Sequence, residues 1–282
     1  MLVLLILFLL FVGLSLTVGA GISRMADSQL SMASGGATPS AEDVKGPRKE
    51  FLHKFVTDDE AMLESLAAIP LMLLAVFKVT LRFLPLFIAL MGFDQMAGEV
   101  GPKSVRYLVV RVKRSSMILG KLLSQMTLFW LLMSLCTVVM VLVTRAVNPT
   151  FAAMDVALWT GKLILASMVL SLAYLSLTAL FSALVKQGGV SLVLNVIALF
   201  VIWFLALVGG ALRFPGEVAQ DALAMLKPES AWAYLRYASV WNYGDDLLHP
   251  QWSRFLVAAL VHVGFALVFL GLAQLALRRR DL

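Results

Sequence analysis

Val190-Ser191-Leu192-Val193-Leu194-Asn195-Val196-Ile197-Ala198-Leu199-Phe200-Val201-Ile202-Trp203-Phe204-Leu205-Ala206-Leu207-Val208-Gly209-Gly210-Ala211-Leu212 contains no Asp, Glu, Lys or Arg. About 20 such residues in a helix cross the roughly 30 Å of hydrocarbon in a bilayer, so this stretch alone predicts a membrane span. Predominantly apolar runs of similar length, with at most two cations in any one, recur at five more places along the chain: Met1 to Ile22, Leu71 to Phe93, Ile118 to Val143, Leu158 to Val185 and Phe255 to Leu277. The composition agrees. Of 282 residues, 61% are hydrophobic and 14% charged, with a mean hydropathy of +0.91, against about 45–50% apolar and about 25% charged in soluble domains. That apolar excess has to face something other than water, and the expected fold is an all-α integral membrane protein with six transmembrane helices.

The first run has no basic segment ahead of it and is longer than the apolar core of a secretory signal, so a retained span is expected. Residues 23–66 turn to Ser, Gly, Ala and Pro with mixed charge, a flexible loop by composition. Asp58-Asp59-Glu60 then places carboxylates where a helix N-terminus favours them, predicting an outer helix that leads into the second span over 67–93. Cys136 is the single cysteine, which rules out an intramolecular disulfide and a cysteine metal cluster.

Lys and Arg set the orientation. The segment from Asp94 to Lys121 carries Lys103, Arg106, Arg111, Lys113, Arg114 and Lys121 against Asp94 and Glu99, an excess that marks a cytoplasmic loop. Counting spans outward from it puts Lys186 in a second cytoplasmic turn and Arg278-Arg279-Arg280 in a cytoplasmic tail over 278–282, with both termini inside. The segments after the third span and over 213–254 fall outside. The formal net charge of +6 is then accounted for by anionic headgroups at the inner face, and nucleic acid is not an expected partner.

Phe93-Asp94-Gln95-Met96-Ala97-Gly98-Glu99-Val100-Gly101-Pro102-Lys103-Ser104-Val105-Arg106-Tyr107-Leu108-Val109-Val110-Arg111, continuing to Leu119-Gly120-Lys121, carries more than a topology signal. An acidic residue closing the second span, a Gly-Glu pair, a short basic helix and a Leu-Gly-Lys opening the third span resemble the permeases of type-2 ABC transporters (the ABC-2 family). Asp94, Gly98, Glu99, Arg106, Arg111, Gly120 and Lys121 fall on that pattern. The resemblance extends more weakly over Leu180-Phe181-Ser182-Ala183-Leu184-Val185-Lys186 and the terminal Arg278-Arg279-Arg280-Asp281-Leu282. It departs at Val112, where the family often has proline, and at Met1-Leu2-Val3, where the family usually has a basic amphipathic helix.

The resemblance implies an exporter permease whose 94–117 segment couples to a separate ABC ATPase subunit. It also implies a second permease copy or homologue, and a cell membrane, the inner membrane in a bacterium. No cofactor is expected on the chain, because ATP would be bound by the partner. Nor does the sequence hold a Walker A pattern, a Gly-x-Ser-x-Gly elbow or a His-Glu-x-x-His motif, and the chain is not expected to be an enzyme. An anchor or assembly factor that recruits a soluble partner through the same loop is the alternative.

Within the spans, Lys78 and Arg82 share one helix face at i, i+4 and are candidates for a substrate path, although snorkelling to the outer interface is the favoured account of them. Lys162 beside Trp159 is expected to snorkel in the same way. His262 is expected to be a hydrogen-bonded interior histidine, and Asn195 to bond between helices. Trp232, Tyr234, Tyr237, Trp241, Tyr243 and Trp252 suit a short helix lying at the outer membrane surface, and equally a plain aromatic belt at that interface.

Overall fold

The computed structural model describes residues 71–100, 114–147, 153–211 and 237–278, together with positions 13, 17, 21, 66 and 234. The expected first span and the loop over 23–66 lie outside the described residues apart from those positions, as do Arg106 and Arg111.

In hydrocarbon the backbone must bond to itself, and the apolar runs do so as helices. Among the described residues five are long: α1 Leu71–Gly92, α3 Arg114–Val147, α4 Ala153–Leu184, α5 Gly188–Ala211 and α6 Trp252–Arg278. Between α1 and α3 lies a single helical turn, α2 Ala97–Val100. Among the described residues there is no strand. Two helices clearly outrun the spans expected from composition: α3 begins at Arg114 rather than Ile118, and α4 at Ala153 rather than Leu158. At 1.5 Å per residue, a helix much longer than about 20 residues extends past the hydrocarbon into the headgroup layer, where charged residues are tolerated and hydropathy no longer marks its end.

Four of these helices are long and apolar enough to cross a membrane: Ser115–Val139 within α3, Met154–Leu184 within α4, Gly188–Val208 within α5 and Trp252–Arg278. Helix α1 covers the expected second span and carries Lys78, Arg82 and Pro85. Pro85 has no N–H to give to the Leu81 carbonyl, which leaves one rung of α1 unmade. Helix α4 is largely enclosed by protein, whereas α3, α5 and α6 turn most of their apolar surface outward. Leu131 and Leu142 of α3, Phe200 and Ile197 of α5, and Leu260 and Leu267 of α6 are exposed in this way. Apolar surface on this scale fits lipid as the surrounding solvent.

The chain divides into two compact units. The first comprises Met1–Phe83, Phe129–Ser167 and Leu248–Trp252. Its buried side chains include Phe77, Phe129 and Leu163. In this unit Lys162 departs from expectation. It does not snorkel: the residue is only 9% exposed, and its ammonium donates to the His249 backbone carbonyl. The same ammonium lies 5.2 Å from the centre of the Trp159 ring and 5.4 Å from that of Trp252. Two indole faces and a carbonyl replace the water a lysine would otherwise seek, and the contact fastens residues 248–252 to α4.

The second unit comprises Leu84–Leu128, Met168–Leu247 and Ser253–Leu282. Its core gathers Met96, Ile118, Leu180, Ala183, Ala273 and Leu277. The aromatic segment ahead of α6 is described from residue 237, with position 234. It forms two short 3-10 turns, Val240–Tyr243 and Asp245–Leu248, with Val240 and Leu247 buried. The Ser239 hydroxyl donates to the Ile202 carbonyl of α5 at 2.6 Å. Asn195 also differs from expectation, because its amide nitrogen donates to the Ser191 carbonyl of its own helix at 2.8 Å. His262 is fully buried, with Nδ1 2.8 Å from the Ala258 carbonyl.

Candidate functional site

The site is built in the second unit, where the chain leaves α1. The Phe93 N–H still donates to the Ala89 carbonyl, as in a helix, but the Gln95 N–H donates to the Gly92 carbonyl, and the chain turns. At Ala97 it starts α2, whose first N–H groups have no partner within the helix. A Ser, Thr or Asp at the capping position normally accepts them, and here that position is Met96, which has no acceptor. Ser182 of α4 takes the role instead. Its hydroxyl oxygen accepts from the Met96 N–H at 2.7 Å and from the Ala97 N–H at 3.0 Å. Both bonds are buried. Each contributes about 1 kcal/mol net, and an N–H left buried without an acceptor costs roughly 1–3 kcal/mol.

Three further contacts hold the turn. The Met96 side chain is fully buried among Ile118 of α3, Leu180 and Ala183 of α4, and Ala273 and Leu277 of α6. The Lys121 ammonium of α3 donates to the Gln95 carbonyl at 2.7 Å, a charge-assisted bond to an otherwise open turn carbonyl. Asp94 lies between two glycines. A Cβ on Gly98 would stand 2.8 Å from one of its carboxylate oxygens, and a Cβ on Gly188 would stand 2.6 Å from the other. Gly188 is the first residue of α5, so the carboxylate rests at the positive end of that helix, an interaction of about 0.3–1 kcal/mol for an exposed group. A side chain at either glycine would displace it.

The Gln95 side chain is buried with neither end of its amide hydrogen-bonded. A buried amide without partners is an energetic cost, and it sits at the residue whose carbonyl holds Lys121.

Of the residues expected from sequence, Asp94, Gly98 and Lys121 are thus brought into one cluster. Glu99 is in α2, and its side chain lies outside the described residues. Gly120 is on an exposed face of α3, where an added Cβ would meet nothing within 4 Å. Lys78, half-buried, and Arg82, exposed, belong to the first unit. Ser182, Gly188, Gln95 and Met96 complete the cluster, and none stands out in the sequence. Ser182 does lie within the Leu180–Lys186 run that closes α4, but its bond partners are more than eighty positions away, and no local spacing reveals them.

The cluster holds no nucleophile with a neighbouring base. The turn at Asp94–Ala97 joins α1 to α2, is bonded to α3 through the Gln95 carbonyl and to α4 through the Met96 and Ala97 N–H groups, lies against the start of α5 at Asp94, and packs beside α6 through Met96. A model of the family described as "ABC-2 family transporter protein" matches residues 1–282. No curated protein matches the chain. Its helical architecture, its apolar spans and a family match over the whole length agree: the chain belongs to the ABC-2 family of transporter proteins.

Proposed function

We propose that the chain is the membrane-spanning permease of an ATP-driven exporter, and that the segment from Asp94 to Arg111 receives the stroke of a separate ATPase subunit. The observation that carries this is the attachment of the turn at Asp94–Ala97. It joins the end of α1, the start of α3, the end of α4 and the start of α5, with Met96 packed beside the end of α6. A segment serving only as a topology signal has no need of these ties. A segment that passes on a rigid-body displacement needs all of them, since packed helices move as units.

In this reading the basic loop faces the cytoplasm, where the positive-inside rule puts it. The helix ends that meet at the turn are those the same rule assigns to the inner face. ATP binds and is hydrolysed in the partner, and the permease pairs with a second copy or a homologue around a central path. Closure of the ATPases displaces α2, and the helices fastened to it alternate access to that path.

Purification of the chain from its native membrane in mild detergent tests this. The wild-type chain is expected to bring down a soluble subunit that hydrolyses ATP, and Glu99→Lys or Arg106→Glu is expected to reduce recovery on the order of tenfold or more, as reversal of an interfacial charge does. Recovery of a soluble partner without ATPase activity contradicts the transporter reading and favours an anchor.

A further inference from the structure

We infer that Ser182 is a positioning residue that joins the coupling turn to α4, so that the stroke is delivered to the α4–α5 hairpin rather than to α1 and α3 alone. The inference rests on the coupling role proposed above and adds the route by which the motion leaves the segment.

Covalent continuity makes α1 and α3 the obvious recipients, because the segment lies between them in the chain. The hydrogen bonds lead elsewhere. The N–H of Met96, in the turn, and that of Ala97, the first residue of α2, end on one oxygen of α4, and a hydroxyl oxygen has two lone pairs to accept them. That oxygen is fully buried, so water does not compete for these donors, and shifting α2 alone leaves two N–H groups without acceptors. Helix α2 therefore carries α4 with it. The next helix follows by a second route. Only Val185, Lys186 and Gln187 separate α4 from α5, and at Gly188 the start of α5 lies against the carboxylate of Asp94, the residue opening the same turn. The hairpin is thus held to the segment at the end of one helix and at the start of the other, close to its tip. The sequence requirement is specific: an acceptor at 182, no side chain at 188 and a carboxylate at 94.

The test uses the chain purified together with its ATPase, in lipid nanodiscs, with Cys136→Ala to leave one introduced cysteine. An environment-sensitive fluorophore is attached at Gln187→Cys, in the exposed hairpin turn, or at Gly120→Cys, on the exposed face of α3. ATP with vanadate supplies the stroke. With Ser182 intact, position 187 is expected to respond. In Ser182→Ala that response is expected to fall on the order of tenfold, because the turn loses the shared acceptor of two buried donors, while the response at 120 persists. Exchange of the Met96 and Ala97 amides with deuterium should accelerate by a similar factor.

Ser182→Thr, which keeps the hydroxyl, should restore both readouts, as a merely space-filling role for Ser182 does not require. Should Ser182→Ala fail to accumulate, Ser182→Cys, a weaker acceptor, is expected to give a partial loss. An unchanged response at 187 in either variant, or no response there with Ser182 intact, overturns the inference. Absence of any ATPase from the purified wild-type chain is a different failure, of the coupling role itself.

Discussion

Truncating Met96 to alanine is expected to destabilise the folded chain by about 2–5 kcal/mol, the cost of emptying a fully enclosed site of this size. Met96 is fully buried, and the core around it draws on α3, α4 and α6. In a membrane the lost term is mainly packing, since lipid offers the unfolded helices an apolar surrounding as well; the value is expected toward the lower end of that range. The effect on coupling is expected to exceed the effect on stability, because the side chain holds in place the backbone whose N–H groups reach Ser182. Met96→Leu, nearly equal in volume, should cost less than about 1.5 kcal/mol. Thermal unfolding in detergent, followed by tryptophan fluorescence, distinguishes the two. Equal stability of the alanine and leucine variants contradicts the packing described.

Gly188→Ala is expected to impair the transporter, and Asp94→Ala is expected to remove the reason. The added methyl group would stand 2.6 Å from one carboxylate oxygen, 3.1 Å from the carboxylate carbon and 3.2 Å from the Phe93 ring. The ring is the smaller obstacle, and the carboxylate has to swing away from the helix end, losing an interaction of roughly 0.3–1 kcal/mol and its preferred rotamer. In the Asp94→Ala background the oxygens are absent, and Gly188→Ala should then cost little, since only the contact with the Phe93 ring at 3.2 Å remains. A double-mutant cycle on stability, and on ATPase activity of the purified complex, should therefore show coupling between the two positions of about 1 kcal/mol or more. Additive effects would mean that Asp94 and Gly188 act independently.

The parts of this molecule that were legible in the sequence are those written in local pattern. Apolar runs announce helices, and α1, α5 and α6 fall within a few residues of where hydropathy puts them, whereas α4 begins five residues early. The ends of α3 are less legible, since Arg114-Ser115-Ser116 continues a helix that composition would end at the hydrocarbon boundary. Charge and the Gly-Glu spacing drew attention to Asp94, Gly98 and Lys121, and all three meet at the turn. Ser182 and Gly188 were not legible as parts of the same site, because what qualifies them is an oxygen and an absent side chain facing a segment far away in the chain.

Lys162 shows the complementary limit. Near the end of a span beside a tryptophan, a lysine reads as an interfacial anchor. Only the position of His249 and Trp252, which the sequence places in another segment altogether, makes burial of its ammonium favourable. Asn195 follows the same logic in reverse: a polar side chain in an apolar helix suggests a partner on a neighbour, yet the carbonyl one turn back in its own helix is the nearer acceptor.

Photo-cross-linking in intact cells tests the central claim most directly. A photoreactive residue in place of Lys103, within the basic segment, is compared with one in place of Asn148, between α3 and α4. Illumination is expected to join the chain to an ATPase subunit from position 103 and not from position 148. Adducts with an ATPase from 148 alone, or with none from either site, would contradict both the orientation and the coupling role.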